Sequence, residues 1–326
     1  MSNGFSLTKL FPKCLTTVLF VWTGLVTIQE VHLISTTIIS TSIIITFVLS
    51  IYTYYKVIIV GPGSPLDFGQ LTVRNIKDAE DGIELPPDFL AQRSFTLKHD
   101  GRFRVCRTCN VWKPDRCHHC SACDKCILKM DHHCPWFAEC VGFKNQKYFV
   151  QFLIYTTVYA ILVMTYTSFQ IYDWFKNELY ETEIIKIRLL MVWILSVAVF
   201  LTVTCFTGFS IYQTINNRTT IEMYTLRKYR EELELYGNYR DSQLTRNIFD
   251  LGSTWENWCE VMGTSLWEQL MPVRTRKSIL NRNTIDEKGL YFRINDKVNQ
   301  SLLGSADLQN RLMRRLTPRS SVDTNR

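Results

Sequence analysis

Between Cys106 and Cys140 the chain writes one pattern twice, Cys-x2-Cys-x9-His-x6-Cys, with the second copy displaced fourteen residues from the first. The first copy is Cys106, Cys109, His119 and Cys126; the second is Cys120, Cys123, His133 and Cys140, so the two sets interleave. Structural zinc takes four tetrahedral ligands, usually thiolates with one or two imidazoles, and a Cys-x2-Cys knuckle is the usual source of two of them. Each copy is a complete set. The segment is therefore predicted to fold around two zinc ions, because metal binding and folding are coupled in such small modules. Spacing alone leaves the register open among Cys117, Cys120 and Cys123.

The same stretch holds eight cysteines and four histidines, so two four-ligand sites leave over Cys117, His118, His132 and Cys134. Cys134 ends the run Asp131-His132-His133-Cys134, where a carboxylate, an imidazole and a thiol lie together while His133 is assigned to metal. A free thiol titrates near ~8.5, and an imidazole oriented by a carboxylate can take its proton at neutral pH. That is the arrangement of an activated nucleophile. Cys117 is left as a bystander or as a second thiol open to the same modification as Cys134, and Cys14, Cys205 and Cys259 as packing residues.

A mean hydropathy of -0.03 hides long apolar runs. Residues Leu10 to Ile28, Leu33 to Val60, Tyr148 to Ile171 and Ile187 to Ile215 are each long enough to cross a bilayer, which takes about 20 helical residues. The first is closely followed by Gln29, Glu30 and His32, so an interfacial hairpin competes with a span there. Against the hairpin, the second run has no charge from Leu33 to Tyr55, and four crossings put both termini on one side. No small-residue cleavage site follows the first run, so a signal peptide is not expected.

Basic residues set the orientation. Lys9, Lys13, the basic middle segment, Arg218, Arg227, Lys228 and Arg230 fall on faces predicted to be cytosolic, whereas Asp173, Glu178, Glu181 and Glu183 suit the lumenal side. The predicted fold is a mainly α membrane protein with four transmembrane helices and a small cytosolic two-zinc cysteine-rich domain between helices 2 and 3. Its divisions are 1–60 with helices 1 and 2, cytosolic 61–147 with the zinc domain at about 104–147, 148–215 with helices 3 and 4, and a cytosolic 216–326. The net charge of +7 comes mostly from Arg274 to Arg326, with twelve Lys or Arg against five Asp or Glu. Such a segment favours an anionic leaflet or simply water, and nucleic acid is not an expected partner. Leu302 to Arg326 is expected to lack fixed structure.

Cys134 precedes Tyr148 by fourteen residues, with Cys140 tied to metal between them, which keeps the thiol at the cytosolic membrane surface. A nucleophile there can meet a substrate with a polar head in the cytosol and an apolar chain in the bilayer, as in a fatty acyl thioester. Attack gives another thioester, so the acyl group can pass on to a second thiol at little cost.

Cys106 to Tyr148, with Lys113-Pro114-Asp115-Arg116, Asp131-His132-His133-Cys134-Pro135-Trp136 and Asn145, resembles the DHHC cysteine-rich domain of protein S-acyltransferases. The likeness extends to the four spans and to Thr219-Thr220-Ile221-Glu222, which matches the family's TTxE motif. It implies that Cys134 accepts an acyl group from acyl-CoA such as palmitoyl-CoA, with His132 as general base, Asp131 orienting it and the eight residues above holding two structural zincs. It places Thr220 against Asp131, and Asn257, in Trp255-Glu256-Asn257-Trp258, in a motif that docks the tail on the membrane helices. Where the family often has Asp-Pro-Gly after the second span, this chain has Gly61-Pro62-Gly63, which still ends a helix.

By the same resemblance Tyr159 closes the acyl cavity and sets chain length, with plain packing as the competing reading, and Trp136 is a second acyl-cavity candidate. Arg104, Lys113, Arg116 and His118 are candidates to meet the CoA phosphates. The expected protein partners carry membrane-proximal cytosolic cysteines and a first, weak lipid tether, which a second chain makes firm. Lys98-His99-Asp100-Gly101-Arg102-Phe103 and Asp286-Glu287-Lys288-Gly289-Leu290-Tyr291-Phe292 resemble the fungal vacuolar-membrane branch of the family. That branch implies vacuolar residence and a myristoylated armadillo-repeat vacuolar protein as substrate.

Two other classes compete. A RING-like ubiquitin ligase module also interleaves its ligands, but it has a longer gap between knuckles and no requirement for an unligated Asp-His-Cys set. A zinc transporter wants ionisable ligands within the spans, and these runs offer almost none.

Overall fold

The computed structural model describes residues 7–98, 100–181, 184–235, 247–275 and 288–295. In chain order the helices and strands are α1 (Leu7–Glu30), α2 (Thr36–Val60), α3 (Ile76–Asp81), α4 (Asp88–Ala91), β1 (Val105–Cys106), β2 (Val111–Trp112), β3 (His118–Cys120), β4 (Lys125–Ile127), β5 (His132–Cys134), β6 (Glu139–Val141), α5 (Gln146–Lys176), α6 (Ile187–Ile215), α7 (Thr220–Leu235), α8 (Thr254–Met262) and α9 (Leu266–Leu270). α1, α2, α5 and α6 are long and apolar enough to cross a membrane, so the segment read as a possible hairpin is a full helix. The predicted tail at Leu302 to Arg326 lies outside the described residues.

α5 is the centre of the bundle, packed against both α2 and α6, and half of its membrane window is buried against 17% of that of α6. Exposed Ile38, Ile45, Val48, Met191, Ile194 and Leu201 cover the outer faces, as apolar side chains do where the solvent is lipid. The same physics corrects one expectation. Cys14 and Cys205, read as packing residues, are exposed on α1 and α6, because apolar character inside a bilayer does not require burial in protein. At the far end of α1, buried Glu30 meets Arg188 Nη2 at 2.6 Å and Lys186 Nζ at 2.8 Å, which neutralises the charge that made this span questionable.

The zinc-ligand segment forms three antiparallel two-stranded hairpins, β1–β2, β3–β4 and β5–β6. It is locked to the bundle by Asn145, a fully buried side chain just before α5. Its Oδ1 accepts from the Gly142 N–H at 2.8 Å, and its Nδ2 donates to the carbonyls of Cys140 at 3.0 Å and of Val57, near the end of α2, at 3.1 Å. Gly142 leaves no room for a side chain: a Cβ there would lie 2.7 Å from the Leu128 carbonyl oxygen. Residues 288–295 return to the cysteine-rich module, where Leu290 joins a core with Phe103, Trp112 and Leu128.

Candidate active site

Strand alternation explains how one short segment serves two metals and still leaves a sulfur free. Successive side chains of a strand point to opposite faces. In β3, His119 faces one way with Cys126 as its cross-strand partner, while Cys120 faces the other. In β5, His133 pairs with Cys140 across the hairpin, and His132 and Cys134 share the opposite face. The strand that holds a zinc ligand at its centre thus presents imidazole and thiol together on its other side.

The eight candidate ligands gather into two clusters, Cys106, Cys109, His119 and Cys126, and Cys120, Cys123, His133 and Cys140, with the donor atoms of each within 4.8 Å of one another. Tetrahedral zinc, with bonds of about 2.3 Å to sulfur and about 2.0 Å to nitrogen, sets S and N roughly 3.5 Å apart. His119 Nδ1 lies 3.7, 3.2 and 4.0 Å from the sulfurs of Cys106, Cys109 and Cys126. His133 Nδ1 lies 3.7, 3.3 and 3.6 Å from those of Cys120, Cys123 and Cys140. Both sets fit zinc. The ion would supply structure by tying β3–β4 and β5–β6 to the preceding knuckles. Cys117, buried beside the first cluster, and Cys134 belong to neither.

Asp131 and His132 form a tight pair, Oδ2 to Nδ1 at 2.6 Å, which makes Nδ1 the protonated ring nitrogen and turns Nε2 away from the carboxylate. Nε2 is buried and, among the described residues, its interaction is with the Cys134 thiol alone. The ring sits edge-on to Phe149 and Phe206 at 5.2 and 6.0 Å. Burial works against a charged imidazole, but hydrogen bonds and charge from Asp131 and from Cys134 outweigh it, and His132 is pushed up to about 9. Burial raises Asp131 too, yet bonds from His132 and Thr220 overcome this and hold the carboxyl below its ordinary range. Cys134 is buried in the core of the bundle with Tyr148, Phe149, Phe152, Phe137 and Tyr54.

Asp131 is also anchored from α7. Thr220 N–H donates to Oδ1 at 2.8 Å, and its hydroxyl stands 3.2 Å from both carboxylate oxygens. The motif Thr219-Thr220-Ile221-Glu222 is a capping box: Glu222 N–H donates to Thr219 Oγ1 at 3.2 Å, and Thr219 N–H donates to Glu222 Oε2 at 2.9 Å. The first N–H of α7, that of Thr220, is the one that meets Asp131, where the positive end of the helix favours a carboxylate. Glu222 is held in turn by Arg116, at 2.7 and 2.8 Å, and Arg116 also donates to Asn217 Oδ1 and to its carbonyl, both at 2.9 Å.

These contacts bear on two of the residues assigned to CoA. Arg116 is 2% exposed, four of its five N–H donors go to Glu222 and Asn217, and two aromatic rings stand against it, so its charge is spent inside the protein. His118 is pushed down to about 4 by burial and by the neighbouring cations Arg104 and Lys113, so it is neutral at physiological pH and brings no charge to an anion. Arg104 donates to the Pro114 carbonyl at 2.6 Å, and Lys113 is half-buried beside it.

Tyr159 stands inside the bundle, its hydroxyl 2.9 Å from the Phe20 carbonyl and 2.9 Å from Thr23 Oγ1, and so spans from α5 to α1. Cys134 to Phe137 makes a turn that buries Phe137 against Tyr54 and leaves the Trp136 side chain 59% exposed, with only its carbonyl engaged, by Tyr54 Oη at 2.7 Å. Asn257 is buried and donates to the carbonyl of Ile215, the last residue of α6, at 2.9 Å, which pins α8 to the end of that span. The sequence placed Glu222 in the TTxE motif without a role, though its Thr-x-x-Glu spacing is that of a capping box, and it gave no sign of Thr23 or of the aromatic flank of His132.

The sequence profile of the DHHC palmitoyltransferase family matches residues 99–227, which contain both clusters, the Asp131–His132 pair and Thr220. Over 327 residues the chain is 53% identical to the palmitoyltransferase PFA3 of Saccharomyces cerevisiae, covering 100% of this chain and 97% of the relative. It is 49% identical to the Candida glabrata PFA3 over 326 residues, 99% of this chain and 98% of that protein. With the zebrafish (Danio rerio) palmitoyltransferase ZDHHC2 it shares 30% identity over 235 residues, 70% of this chain and 61% of the relative. Full-length identity of this order, on top of a site built from the family's own motif, makes the chain a member of the DHHC palmitoyltransferase family.

Proposed function

We propose that the protein transfers a fatty acyl group from acyl-CoA to cysteines of membrane-associated proteins in two steps, through a thioester on Cys134. In the first, the Cys134 sulfur, its proton already held on His132 Nε2, attacks the thioester carbonyl carbon; the bond to the CoA sulfur breaks, and the leaving thiolate takes the proton from His132. In the second, an acceptor cysteine loses its proton to the same nitrogen and attacks the acyl-enzyme, and Cys134 leaves and is reprotonated. Thioester replaces thioester in each step, so little bond energy is at stake. The reading is carried by one observation: a buried thiol that lies outside both ligand clusters and on the same strand face as an imidazole bound to a carboxylate.

Arg104 and Lys113 are the cations of this module left to meet CoA phosphates. Tyr159, with Thr23, closes the bundle interior beyond Phe20 and limits the chain length accepted. The basic residues flanking the spans put both termini and Cys134 on the cytosolic side. Likeness to the vacuolar-membrane branch supports residence at the vacuole and a myristoylated armadillo-repeat vacuolar protein as one acceptor.

Purified protein incubated with labelled palmitoyl-CoA is expected to take up hydroxylamine-sensitive label. Cys134→Ser should take up none while keeping two zincs per chain. Native protein that stays unlabelled removes the enzymatic reading, and zinc loss in Cys134→Ser shows that the ligand register is wrong. A tagged copy found at another membrane removes the vacuolar assignment and leaves the chemistry intact.

A further inference from the structure

We infer that residues 289–295 are a strap that positions the catalytic pair through Arg116, with Phe292 as its positioning residue. The strap is built to sit closely. Gly289 adopts φ +74° directly against Phe143, where a Cβ would come within 2.5 Å of the ring, so both its conformation and its contact exclude a side chain. Leu290 is buried against the Trp112 core, Tyr291 stacks under the Arg93 guanidinium at 5.0 Å, and Ile294 is buried with Phe249 and Phe292.

Phe292 and Phe249 meet edge to face, with centroids 6.0 Å apart, and both rings face the Arg116 guanidinium, its carbon 5.2 Å from one and 4.5 Å from the other. The two rings bound the guanidinium on one side, and its N–H donors go to Glu222 and Asn217. A planar fork set against two rings and held by four hydrogen bonds is fixed in rotation, which an ammonium in the same place would not be. Arg116 therefore fixes Glu222, Glu222 closes the capping box on Thr219, and the resulting N-terminus of α7 binds Asp131. Phe292 touches neither the reacting sulfur nor the imidazole, yet it stands at the start of an unbroken series of contacts that ends on His132.

The proposal rests on Cys134 being the acylated thiol, and its test separates the two. Full-length protein in detergent is mixed with labelled palmitoyl-CoA, and the burst of Cys134 labelling is resolved into an amplitude, which counts competent molecules, and a rate constant. Zinc is measured on the same samples. Phe292→Leu, which keeps apolar bulk and loses the ring, should retain two zincs per chain and the full burst amplitude while its rate constant falls about three- to tenfold, the scale of one lost cation–π face. Phe249→Leu should do the same from the other side, and Phe292→Tyr, which keeps the face, should restore the rate. The concentration of palmitoyl-CoA giving half-maximal rate should not move in any of them. An unchanged rate constant in Phe292→Leu, or a loss confined to the amplitude, overturns the strap, as does a Tyr variant no faster than the Leu variant. Absence of any burst in the native protein overturns the acyl-transfer reading instead.

Discussion

Asp131→Asn isolates what the carboxylate does for His132. In the folded protein the imidazole stands at about 9 against an ordinary 6.5, a difference of roughly 3 kcal/mol between its two protonation states. Burial alone would push it the other way, so the rise comes from Asp131 and Cys134 together. Replacing the carboxylate by an amide removes the hydrogen-bonded charge and keeps the burial, and the imidazole should fall back to 6.5 or below. The sign for stability follows from linkage. His132 contributes stability that is fully present below about 6.5 and lost as pH rises through about 9; the depressed Asp131 contributes stability present above the ordinary carboxylate value and lost as pH falls through its lowered one. The pair is thus most stabilising in the mildly acidic range, and the variant should lose that advantage there. Chemically, an amide can donate to Nδ1 and so favour the tautomer whose Nε2 carries the proton, which sets a donor rather than an acceptor against the thiol. An analogous carboxylate-to-amide change beside a catalytic histidine costs about 10⁴ in rate, and a loss of at least about 10² is expected here. The assay is the initial rate of Cys134 labelling by palmitoyl-CoA from pH 6 to pH 10, with zinc measured at each pH. An alkaline inflection that stays where the native enzyme has it, or a rate within threefold of native at pH 7.4, would refute the assignment of Asp131 as the group that orients and charges His132.

Three further outcomes are expected. His133→Ala should drop zinc from two to one per chain, and activity should disappear with the metal; a variant that keeps both ions but loses activity would show that His133 acts in the chemistry instead. Glu222→Gln leaves the Arg116 charge buried without its partner, a change that costs about 3 kcal/mol or more in buried pairs, so it should lower the thermal midpoint in detergent as well as the labelling rate, whereas an unchanged midpoint would show that the pair adds nothing. Tyr159→Ala removes the bonds to Phe20 and Thr23 and opens the bundle toward α1. In competition between acyl-CoAs it should shift transfer from C16 toward longer chains, and an unchanged preference would mean that Tyr159 only packs.

Much of this was legible because it depends on spacing. Ligand intervals name both zinc sites, and run lengths name four helices with the last at Ile187–Ile215, the range read from sequence. What escaped depends on partners far apart in the chain. Arg116 in Lys-Pro-Asp-Arg looks like a surface cation until Glu222 and Asn217, about 100 residues on, fill its donors. His118 looks chargeable until burial beside Arg104 and Lys113 makes it neutral. Trp136 and Phe137 are adjacent aromatics, and only the turn after Cys134 decides which one enters the core. Segment 288–295 carried no reading beyond a family likeness, since nothing in its own composition says that it packs beneath Arg116.

The free thiol has an origin in the repeat itself. Displacing the second copy by another fourteen residues would begin a third at Cys134 and place its remaining ligands at 137, 147 and 154, where the chain has Phe137, Lys147 and Ile154. Cys134 thus occupies the position of a knuckle's first cysteine, as Cys106 and Cys120 do, with no metal site to join. The residues that stand in for the missing ligands belong to the bundle: Phe137 stacks on Tyr54 at 4.9 Å, and Lys147 and Ile154 lie on α5. A hairpin that would have carried metal ends against a membrane helix instead. Asp131 and His132 stand at the positions of Cys117 and His118 in the preceding repeat, so β5 keeps the geometry of a zinc-binding strand while the group beside its imidazole has become a carboxylate. On this view the zincs do no chemistry. Zinc in the two clusters would hold one strand rigid in the register that puts imidazole and sulfur on its open face.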